Sequence, residues 1–476
     1  MAYSNRTIVY TLLLSVMLAY CSLFVLILHR VHTNGWSNAN FIVYTGGDGF
    51  HYVQLANNLL HNGRFAVSAT SNPEYFRTPA YPLFIALLLA VTKNIAVLPV
   101  VQFFLAACSA AFTFLLGARF CGRKVGLAAA ILFAIEPAVL TNALISATDT
   151  LFVTILLWAT YVLVMPREFN IRKIFLAGVL MGILTLVRPI GLYVIPLYFV
   201  WLLWESRHDW KRAGKITGVF LIGVVVVVGP WVGRNYAYSG HAAVSSTGVY
   251  TLLFYNIADF EHERTGVSKD SINKKIMEQV GVKEMDDPSS LKFADREKSV
   301  ALSYLMAHPF KYATFHLLST IPFYIGSSID TAERAVYLRG IAKDSPPPNV
   351  NITTAMAPAD VNVSHLILTG HIQEGLRALT DNFPVLLERL LWFILCVASL
   401  GAVLRGIYRC VEGVSVAVLF FGVIVAFGIL TGPVAYSRYR MPIDSFIFIL
   451  GISGIVLLLH PLYTQVRLYF RSSHKV

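Results

Sequence analysis

Apolar and polar residues alternate along this chain in long blocks. Apolar runs of about the 20 residues that a helix needs to cross a bilayer recur between short polar linkers. Because a backbone in lipid must satisfy its own hydrogen bonds, each run predicts a transmembrane helix. About ten such helices are expected, near residues 8–29, 97–118, 125–143, 150–165, 174–188, 190–204, 216–233, 388–404, 414–432 and 443–460. The predicted fold class is an all-α, polytopic membrane protein.

The basic residues of the linkers predict an orientation. Lysine and arginine recur in every second short linker, and cytoplasmic loops are the ones enriched in them. They are Arg119, Arg123 and Lys124; Arg167, Arg172 and Lys173; Arg207, Lys211, Arg212 and Lys215; Arg405 and Arg409; and Arg467, Arg471 and Lys475 in the tail. Residues 30–96 and 234–387 are then expected outside. The expected setting is a bacterial inner membrane with an extracytoplasmic active site.

Two further apolar stretches are too short to cross, and counting them as spans would invert this orientation. Residues 81–91 predict a helix on the outer surface, and residues 312–327 predict a surface helix or a re-entrant hairpin. We therefore expect an N-terminal transmembrane module at 1–233, whose first outer loop is 30–96. A small outer domain follows at 234–387, and C-terminal helices with a basic tail occupy 388–476.

Composition excludes two classes of protein. Charged residues make up 13% of the 476 and apolar residues 56%, whereas a soluble domain carries about 25% charged residues. The net charge of +12 resides in the linkers and not in a basic helix interleaved with aromatic residues, so nucleic acid is not an expected partner. The five cysteines lie in or beside apolar runs without CxxC spacing, which predicts neither a disulfide nor a metal site in the outer domain.

Two aspartates at outer helix ends are candidate catalytic residues. Asp48 begins a stretch with apolar residues at helical spacing. It is either a helix N-cap or a carboxylate placed to accept a proton from an acceptor hydroxyl. Asp149 begins a later helix and is either a cap or a second acid that orients partners or a cation. Glu136, also near an outer helix end, has no assigned role.

Arginines near outer helix ends are candidate ligands of a phosphate: Arg77, Arg188, Arg234, Arg438 and Arg440. Each one alone is explained as an interfacial anchor that snorkels to water. Together they run against the inward bias of basic residues. A shared anionic ligand, such as a phosphate ester that arginine binds bidentately, explains the set. Tyr52 and Tyr81 are also predicted to contact substrate.

The outer face thus offers a carboxylate base, a second acid and phosphate-binding arginines, with apolar walls for a lipid tail. A phosphate whose charge is compensated is a good leaving group, and an attacking hydroxyl must lose its proton. These are the parts needed to displace a phosphate from a sugar.

A set of short motifs carries a family resemblance. They are DGFHY at 48–52, GRF at 63–65, RTPAYP at 77–82, DTLF at 149–152, LVRP at 186–189, PWVGRNY at 230–236 and RYRMP at 438–442. In this order they resemble the GT-C superfamily of lipid-carrier-dependent glycosyltransferases, in particular the family of protein O-mannosyltransferases and the lipid A aminoarabinose transferase. The expected fold is a GT-C-like helix bundle with outer-surface helices.

The resemblance implies roles for individual residues. Asp48 takes the catalytic-base position and Asp149 that of the second outer-loop acid, while Arg77, Arg188, Arg234 and Arg438 resemble donor-phosphate contacts. The family generally inverts configuration at the sugar carbon, and several members need no metal. Gly49 stands where an acidic residue often follows the first aspartate, which weakens any metal site at Asp48. The missing large C-terminal soluble domain argues against oligosaccharyltransferase-like relatives.

The predicted function is transfer of a hexosyl or pentosyl unit from an undecaprenyl- or dolichyl-phosphate donor to a glycan, lipid or protein acceptor. No cofactor is predicted, and the sequence is compatible with a divalent metal but does not indicate one. One alternative is a flippase or transporter of lipid-linked glycans, although such proteins place ionisable groups near mid-membrane and often contain internal repeats. The other is an O-antigen-type ligase that transfers whole glycans.

Overall fold

The computed structural model describes residues 4–33, 47–68, 70–166, 169–283, 286–329, 383–408, 413–434 and 437–473. Within these ranges every regular element is a helix, which confirms the all-α fold class. Positions named above that lie outside the described residues include Arg167, Arg409, Lys475 and the outer residues 34–46 and 330–382.

The helices of the N-terminal half are α1 (Asn5–Thr33), α2 (Gly47–Asn62), α3 (Ala80–Thr92), α4 (Val97–Phe120), α5 (Arg123–Ile135), α6 (Pro137–Leu144), α7 (Asp149–Val164), α8 (Ile171–Val187), α9 (Gly191–Glu205) and α10 (Trp210–Ser239). The outer segment contains α11 (Thr247–Thr251), a π-helical turn (Leu252–Ile257), α12 (Ala258–Thr265), α13 (Lys269–Val280), a 3₁₀ turn (Leu291–Phe293), α14 (Ala294–Ala307), α15 (Pro309–Ser319) and α16 (Ile321–Ile325). The C-terminal helices are α17 (Phe383–Tyr408), α18 (Val414–Thr431) and α19 (Ser437–Ser473), with a 3₁₀ turn at Gly432–Val434.

Several of these helices qualify as membrane spans. Among the described residues, six are long and apolar enough to cross a bilayer, namely α1, α4, α10, α17, α18 and α19. A seventh span results if α5 and α6, which meet at 50°, are taken together. The helices α3, α7 and α9 are apolar but shorter. The protein is thus a multi-pass membrane protein, whereas the expected number of about ten crossings is not confirmed.

The single helix predicted at 125–143 was wrong, because this stretch is broken at Glu136. The backbone of Glu136 is extended, with φ −62° and ψ 122°, and Pro137 begins the next helix. A proline has no N–H to donate to the preceding turn, and it disfavours the helical conformation of the residue before it. The break places the Glu136 side chain in the interior of the bundle, where the residue is 6% exposed.

Glycines let the helices of the bundle approach one another closely. A side chain at Gly178 of α8 would collide with the Phe220 carbonyl of α10, and one at Gly454 of α19 would collide with the Ala398 carbonyl of α17. Small residues at such crossings are typical of membrane helices, whose association depends on close van der Waals packing. One apolar core results, to which α1, α4 to α10 and α17 to α19 all contribute.

The two apolar stretches too short to cross are helical and lie beside longer elements. α3 has 13 residues, about 20 Å of helix. It buries Tyr81 and Ile85 in a cluster with α2, while Leu87 and Val91 are 62% and 84% exposed. The stretch 312–327 forms most of α15 and α16, which have 11 and 5 residues. Neither is long enough to cross a bilayer.

The outer segment has a small core of its own. The π-helical turn, α13 and α14 bury apolar side chains against one another, including Leu253, Ile257, Ile276 and Ala301. The first residue of this core, Tyr250, follows the end of α10 at Ser239 by eleven positions. The segment between α10 and this core contacts the loop before α3, where the Ser246 N–H donates to the Tyr75 carbonyl at 3.1 Å.

Candidate functional site

The first part of the candidate site is an ion pair between Asp48 and Arg77. Asp48 lies in the first turn of α2, and Arg77 lies in the loop before α3. The Arg77 Nη2 donates to the Asp48 Oδ1 at 2.9 Å and lies 2.8 Å from the His51 Nδ1. The Asp48 side chain is 52% exposed, whereas that of Arg77 is 13% exposed. Asp48 is therefore accessible to a ligand from one side while its other side is held by the guanidinium.

The Arg77 side chain is placed by its surroundings and retains an unused donor. Its guanidinium lies 5.8 Å from the centre of the Tyr52 ring and 5.4 Å from that of Phe76. Its Nε is buried and has no hydrogen-bond partner among the described residues. A buried unpaired donor costs about 1–3 kcal/mol, so an anion that accepts from this Nε would gain stability.

The second part of the site is the buried carboxylate of Asp149. It begins α7, and α8 returns antiparallel to it, so that Arg188 follows the last turn of α8 beside Asp149. The Arg188 Nη1 donates to the Asp149 Oδ1. The Nε and Nη2 of Arg438, at the start of α19, donate to the Oδ2 at 3.1 and 2.9 Å. The Asp149 side chain is 0% exposed, and those of Arg188 and Arg438 are 18% and 21% exposed.

Two tyrosines connect these two parts. The rings of Tyr52 and Tyr81 meet edge-on with their centres 5.1 Å apart, and the Tyr81 hydroxyl donates to the Gln102 Oε1 at 2.9 Å. The pKa of Tyr52 is raised to about 12, mainly by burial and then by the charge of Asp48, while Arg77, Arg188 and Arg438 oppose the rise. The Tyr52 hydroxyl thus lies in the electrostatic field of both parts and stays protonated at neutral pH.

Gly49 allows the start of α2 to approach the loop before α7. A side chain at this position would collide with the Ser146 hydroxyl, and its Cβ would lie 3.0 Å from the Ser146 carbonyl oxygen. The close approach leaves no space at position 49 for the acidic side chain that often follows the first aspartate in the family. It also explains how residues a hundred positions apart form one site.

The remaining two predicted arginines lie in other environments. The Arg234 guanidinium, in the last part of α10, lies 4.7 Å from the centre of the Trp231 ring and 5.3 Å from that of Tyr75. Its Nη1 donates to the Glu74 carbonyl at 2.9 Å and its Nη2 to the Phe65 carbonyl at 3.3 Å. Arg234 therefore supports the loop that leads to Arg77, and no bond to Asp48 or Asp149 occurs among its described contacts.

Arg440 is fully buried beside acidic side chains. Its Nε donates to the Asp444 Oδ1 at 3.1 Å, and its Nη2 lies 3.7 Å from the Glu136 Oε1. Its Nη1 donates to the Gly326 carbonyl at 2.6 Å, and the guanidinium lies 3.5 Å from the centre of the Trp392 ring. With 0% of its side chain exposed, Arg440 offers no surface to a ligand, and its contacts join α19 to α16, α17 and the α5–α6 break.

Sequence reasoning assigned no role to His51 and Glu74, which also belong to the site. Burial is the main cause that lowers the pKa of His51, followed by the charge of Arg77, so this imidazole is neutral at pH 7. Its position three residues after Asp48 in a helix is the signal that would have found it. Glu74 accepts hydrogen bonds from the backbone N–H groups of Phe76 and Arg77 at 2.8 and 2.9 Å. No pattern in the sequence marks that contact.

The arrangement is suited to holding an anion next to a carboxylate that is able to accept a proton. Arg77, Arg188 and Arg438 are all partly accessible, and guanidinium groups bind phosphate oxygens in pairs. In contrast, Asp149 already accepts from two arginines. In the described part of the chain, no group of three or more His, Cys, Asp or Glu side chains is arranged to hold a metal ion.

Comparisons with known proteins agree with this architecture. Residues 76–232 match the family model of dolichyl-phosphate-mannose-protein mannosyltransferases. No curated protein sequence is significantly similar to the chain. The apo oligosaccharyltransferase of Archaeoglobus fulgidus is similar in structure, with a TM-score of 0.50 and 14% identity over 96% of this chain and 52% of the archaeal one. The chain thus spans about half the length of that protein.

A second structural match is more distant. ArnT from Cupriavidus metallidurans, bound to undecaprenyl phosphate, has a TM-score of 0.38 and 10% identity over 92% of this chain and 78% of its own. The sequence argued against oligosaccharyltransferase-like relatives, yet an oligosaccharyltransferase shares the fold of this chain. At 14% identity this likeness concerns the fold and not the activity. The family model thus matches about a third of the chain, from α3 into α10, and the archaeal oligosaccharyltransferase shares the fold over nearly the whole chain.

Proposed function

We propose that this protein transfers a monosaccharide from a polyprenyl-phosphate donor to an acceptor hydroxyl, with Asp48 as the general base. The observation that carries the proposal is the half-exposed Asp48 carboxylate beside Arg77, with two more partly accessible arginines, Arg188 and Arg438, near the same Tyr52 side chain. The matched family is named for a dolichyl-phosphate-linked sugar, and its range includes Arg77, Asp149 and Arg188. In a lipid-phosphate sugar, the lipid tail suits the apolar helix bundle and the phosphate suits the basic cluster.

In this proposal the acceptor oxygen attacks the anomeric carbon while the bond from that carbon to the phosphate oxygen breaks. The acceptor proton passes to Asp48, and the bonding electrons leave with the phosphate, whose negative charge increases. Arg77, Arg188 and Arg438 bind that growing charge, which lowers the barrier because the interaction strengthens in the transition state. Attack opposite the leaving phosphate inverts the anomeric configuration.

Asp149 acts in this proposal as a positioning residue and not as a second proton acceptor. Both of its oxygens already accept hydrogen bonds from arginine, and it is fully buried. Its carboxylate holds Arg188 and Arg438 in one orientation before the donor binds. Such preorganisation avoids the cost of arranging two flexible side chains during the reaction.

The site is proposed to face the extracytoplasmic side, in a bacterial inner membrane. Asp149 and Arg188 lie at the end of the α7–α8 pair that is remote from the connection between these helices. The basic residues Arg172 and Lys173 begin α8 at that opposite end, and the positive-inside bias assigns them to the cytoplasm.

The test is donor consumption by the purified protein in nanodiscs. A panel of labelled undecaprenyl- and dolichyl-phosphate monosaccharides, with acceptor-containing membrane extract, is offered to the wild type, to Asp48→Asn and to Asp270→Asn. Asp270 is exposed on α13 and serves as the matched control. We expect the wild type and the control to consume one donor, and Asp48→Asn to lose at least about 100-fold in rate, as for loss of a general base.

Other outcomes assign the protein differently. Full activity of Asp48→Asn contradicts the assignment of the base. Movement of an intact lipid-linked sugar across a liposome membrane without a covalent product favours the flippase. Transfer of a whole glycan from a pyrophosphate carrier favours the ligase. Parallel reactions with a chelator report whether a divalent metal contributes.

A further inference from the structure

The outer segment contacts the loop that carries Arg77 as soon as it leaves the membrane helix α10. The Ser245 hydroxyl donates to the Phe76 carbonyl at 2.6 Å, and the Thr247 hydroxyl donates to the same carbonyl oxygen. The backbone N–H of Ser246 donates to the Tyr75 carbonyl at 3.1 Å. Two hydroxyl donors on one carbonyl oxygen use both of its lone pairs.

The other end of the same peptide group is also held. The carbonyl of Phe76 and the N–H of Arg77 belong to one planar peptide unit, and that N–H donates to the Glu74 carboxylate at 2.9 Å. Because the unit is planar, hydrogen bonds at both ends fix its rotation. The direction in which the Arg77 side chain leaves the backbone is thereby set.

The donors of this contact are themselves anchored in the outer core. The backbone N–H of Thr247 donates to the Ser245 hydroxyl oxygen at 3.0 Å, and Thr247 begins α11. The Tyr250 ring meets that of Phe76 edge-on, with their centres 5.3 Å apart. α11 continues into the π-helical turn at Leu252–Ile257, and such turns are rare and frequent at functional sites.

We propose that Ser245 and Thr247 are positioning residues that orient Arg77 for the reaction. This inference rests on the proposed function, because Arg77 is there a ligand of the donor phosphate. The outer segment is then part of the catalytic architecture and not only a cover over the membrane helices. When the two hydroxyls are lost, the Phe76–Arg77 peptide is free to turn, and Arg77 moves relative to Asp48 and to the phosphate.

The test uses variants that remove hydroxyl groups with little change in shape. These are Ser245→Ala, Thr247→Val and the double variant, with Thr247→Ser as the conservative rescue. Thr265→Val is the matched control, because the Thr265 hydroxyl also donates to a carbonyl of the outer segment, that of Glu261 at 2.6 Å, and makes no described contact with the Arg77 loop. We expect the double variant to lose roughly 10- to 100-fold in kcat, the scale of a small misplacement of a catalytic group.

A double-mutant cycle separates positioning from general support of the fold. Substitutions that act through one residue are not additive. In an Arg77→Lys background, the double variant is therefore expected to cause little further loss of kcat. In the protein that retains Arg77, Thr247→Ser keeps a hydroxyl and is expected to have most of the rate that Thr247→Val loses. Additive losses in the cycle, or equal losses in Thr265→Val, overturn the inference.

A second readout is independent of turnover. Hydrogen exchange of the peptide that contains residues 74–80 should accelerate in the double variant and not in Thr265→Val, because only the former removes its bonds to the outer segment. Unchanged exchange in this peptide refutes the positioning role whatever the enzyme does. If the wild type consumes no donor while exchange accelerates, the proposed function fails and the physical contact stands.

Discussion

Removal of the Asp149 carboxylate tests the distinction between a positioning acid and a catalytic one. Asp149 is fully buried and joins Arg188 and Arg438, whereas Asp48 is half-exposed and joins Arg77 alone. Both aspartates lie in the first turn of a helix, so their local sequence settings are alike. The structure predicts opposite responses to the same chemical change, from carboxylate to amide.

The size of the effect follows from burial. Removing one partner of a buried ion pair costs about 3–5 kcal/mol, because the other charge is left without compensation. The two arginines retain about a fifth of their exposure, so the lower limit of about 3 kcal/mol applies to Asp149→Ala. Asp149→Asn keeps one acceptor oxygen and should lose less. An exposed pair contributes about 0–1 kcal/mol, which is the expected loss for Asp48→Asn.

The assay is thermal unfolding of the detergent-solubilised variants, followed by donor consumption at a temperature at which all are folded. We expect the decrease in Tm to be largest for Asp149→Ala, smaller for Asp149→Asn and smallest for Asp48→Asn, whose Tm should be close to that of the wild type. At the permissive temperature Asp149→Asn should retain measurable turnover with a raised KM for the donor, and Asp48→Asn should lose at least about 100-fold in rate. A Tm for Asp149→Asn equal to that of the wild type, or turnover by Asp48→Asn above that of Asp149→Asn, would refute the reasoning.

Two further predictions concern Gly49 and Glu297. Gly49→Ala should lower both Tm and turnover, because its Cβ would collide with Ser146, although glycine to alanine in a helix usually stabilises by about 1 kcal/mol. The control is Gly218→Ala, whose Cβ would have no atom within 4 Å. An unchanged Tm and turnover in Gly49→Ala would contradict the close approach. Both carboxylate oxygens of Glu297 are buried without a partner among the described residues, and burial, then the charge of Asp287, raises its pKa to about 7. The folded state thus holds the proton more tightly than the unfolded state, so Glu297 destabilises the fold increasingly as pH rises from about 4.5 to about 7. Glu297→Gln should therefore raise Tm more at pH 8 than at pH 5, and an equal change at both pH values would contradict the buried, unpaired carboxylate.

The sequence alone determined the helical architecture and the local positions of several site residues. Apolar runs had to become helices, since lipid offers a backbone no hydrogen-bond partner, and these runs coincide with helices of the structure. Asp48 and Asp149 lie in the first turns of helices, as their positions before apolar stretches predicted. The break at Pro137 depends only on the proline and the residue before it, so the chain contained a local signal that the prediction of one helix at 125–143 missed.

Only the tertiary structure decided which charged groups meet. Arg438 and Arg440 lie two residues apart on α19, where helical geometry turns them by about 200° relative to each other. The first therefore reaches Asp149 and the second is buried against Asp444 and Trp392. The bond from Arg438 to Asp149 joins residues 289 positions apart. Partners at such separations are set by how helices pack, and packing depends on the shapes of all neighbouring side chains together, which no local pattern in the chain contains.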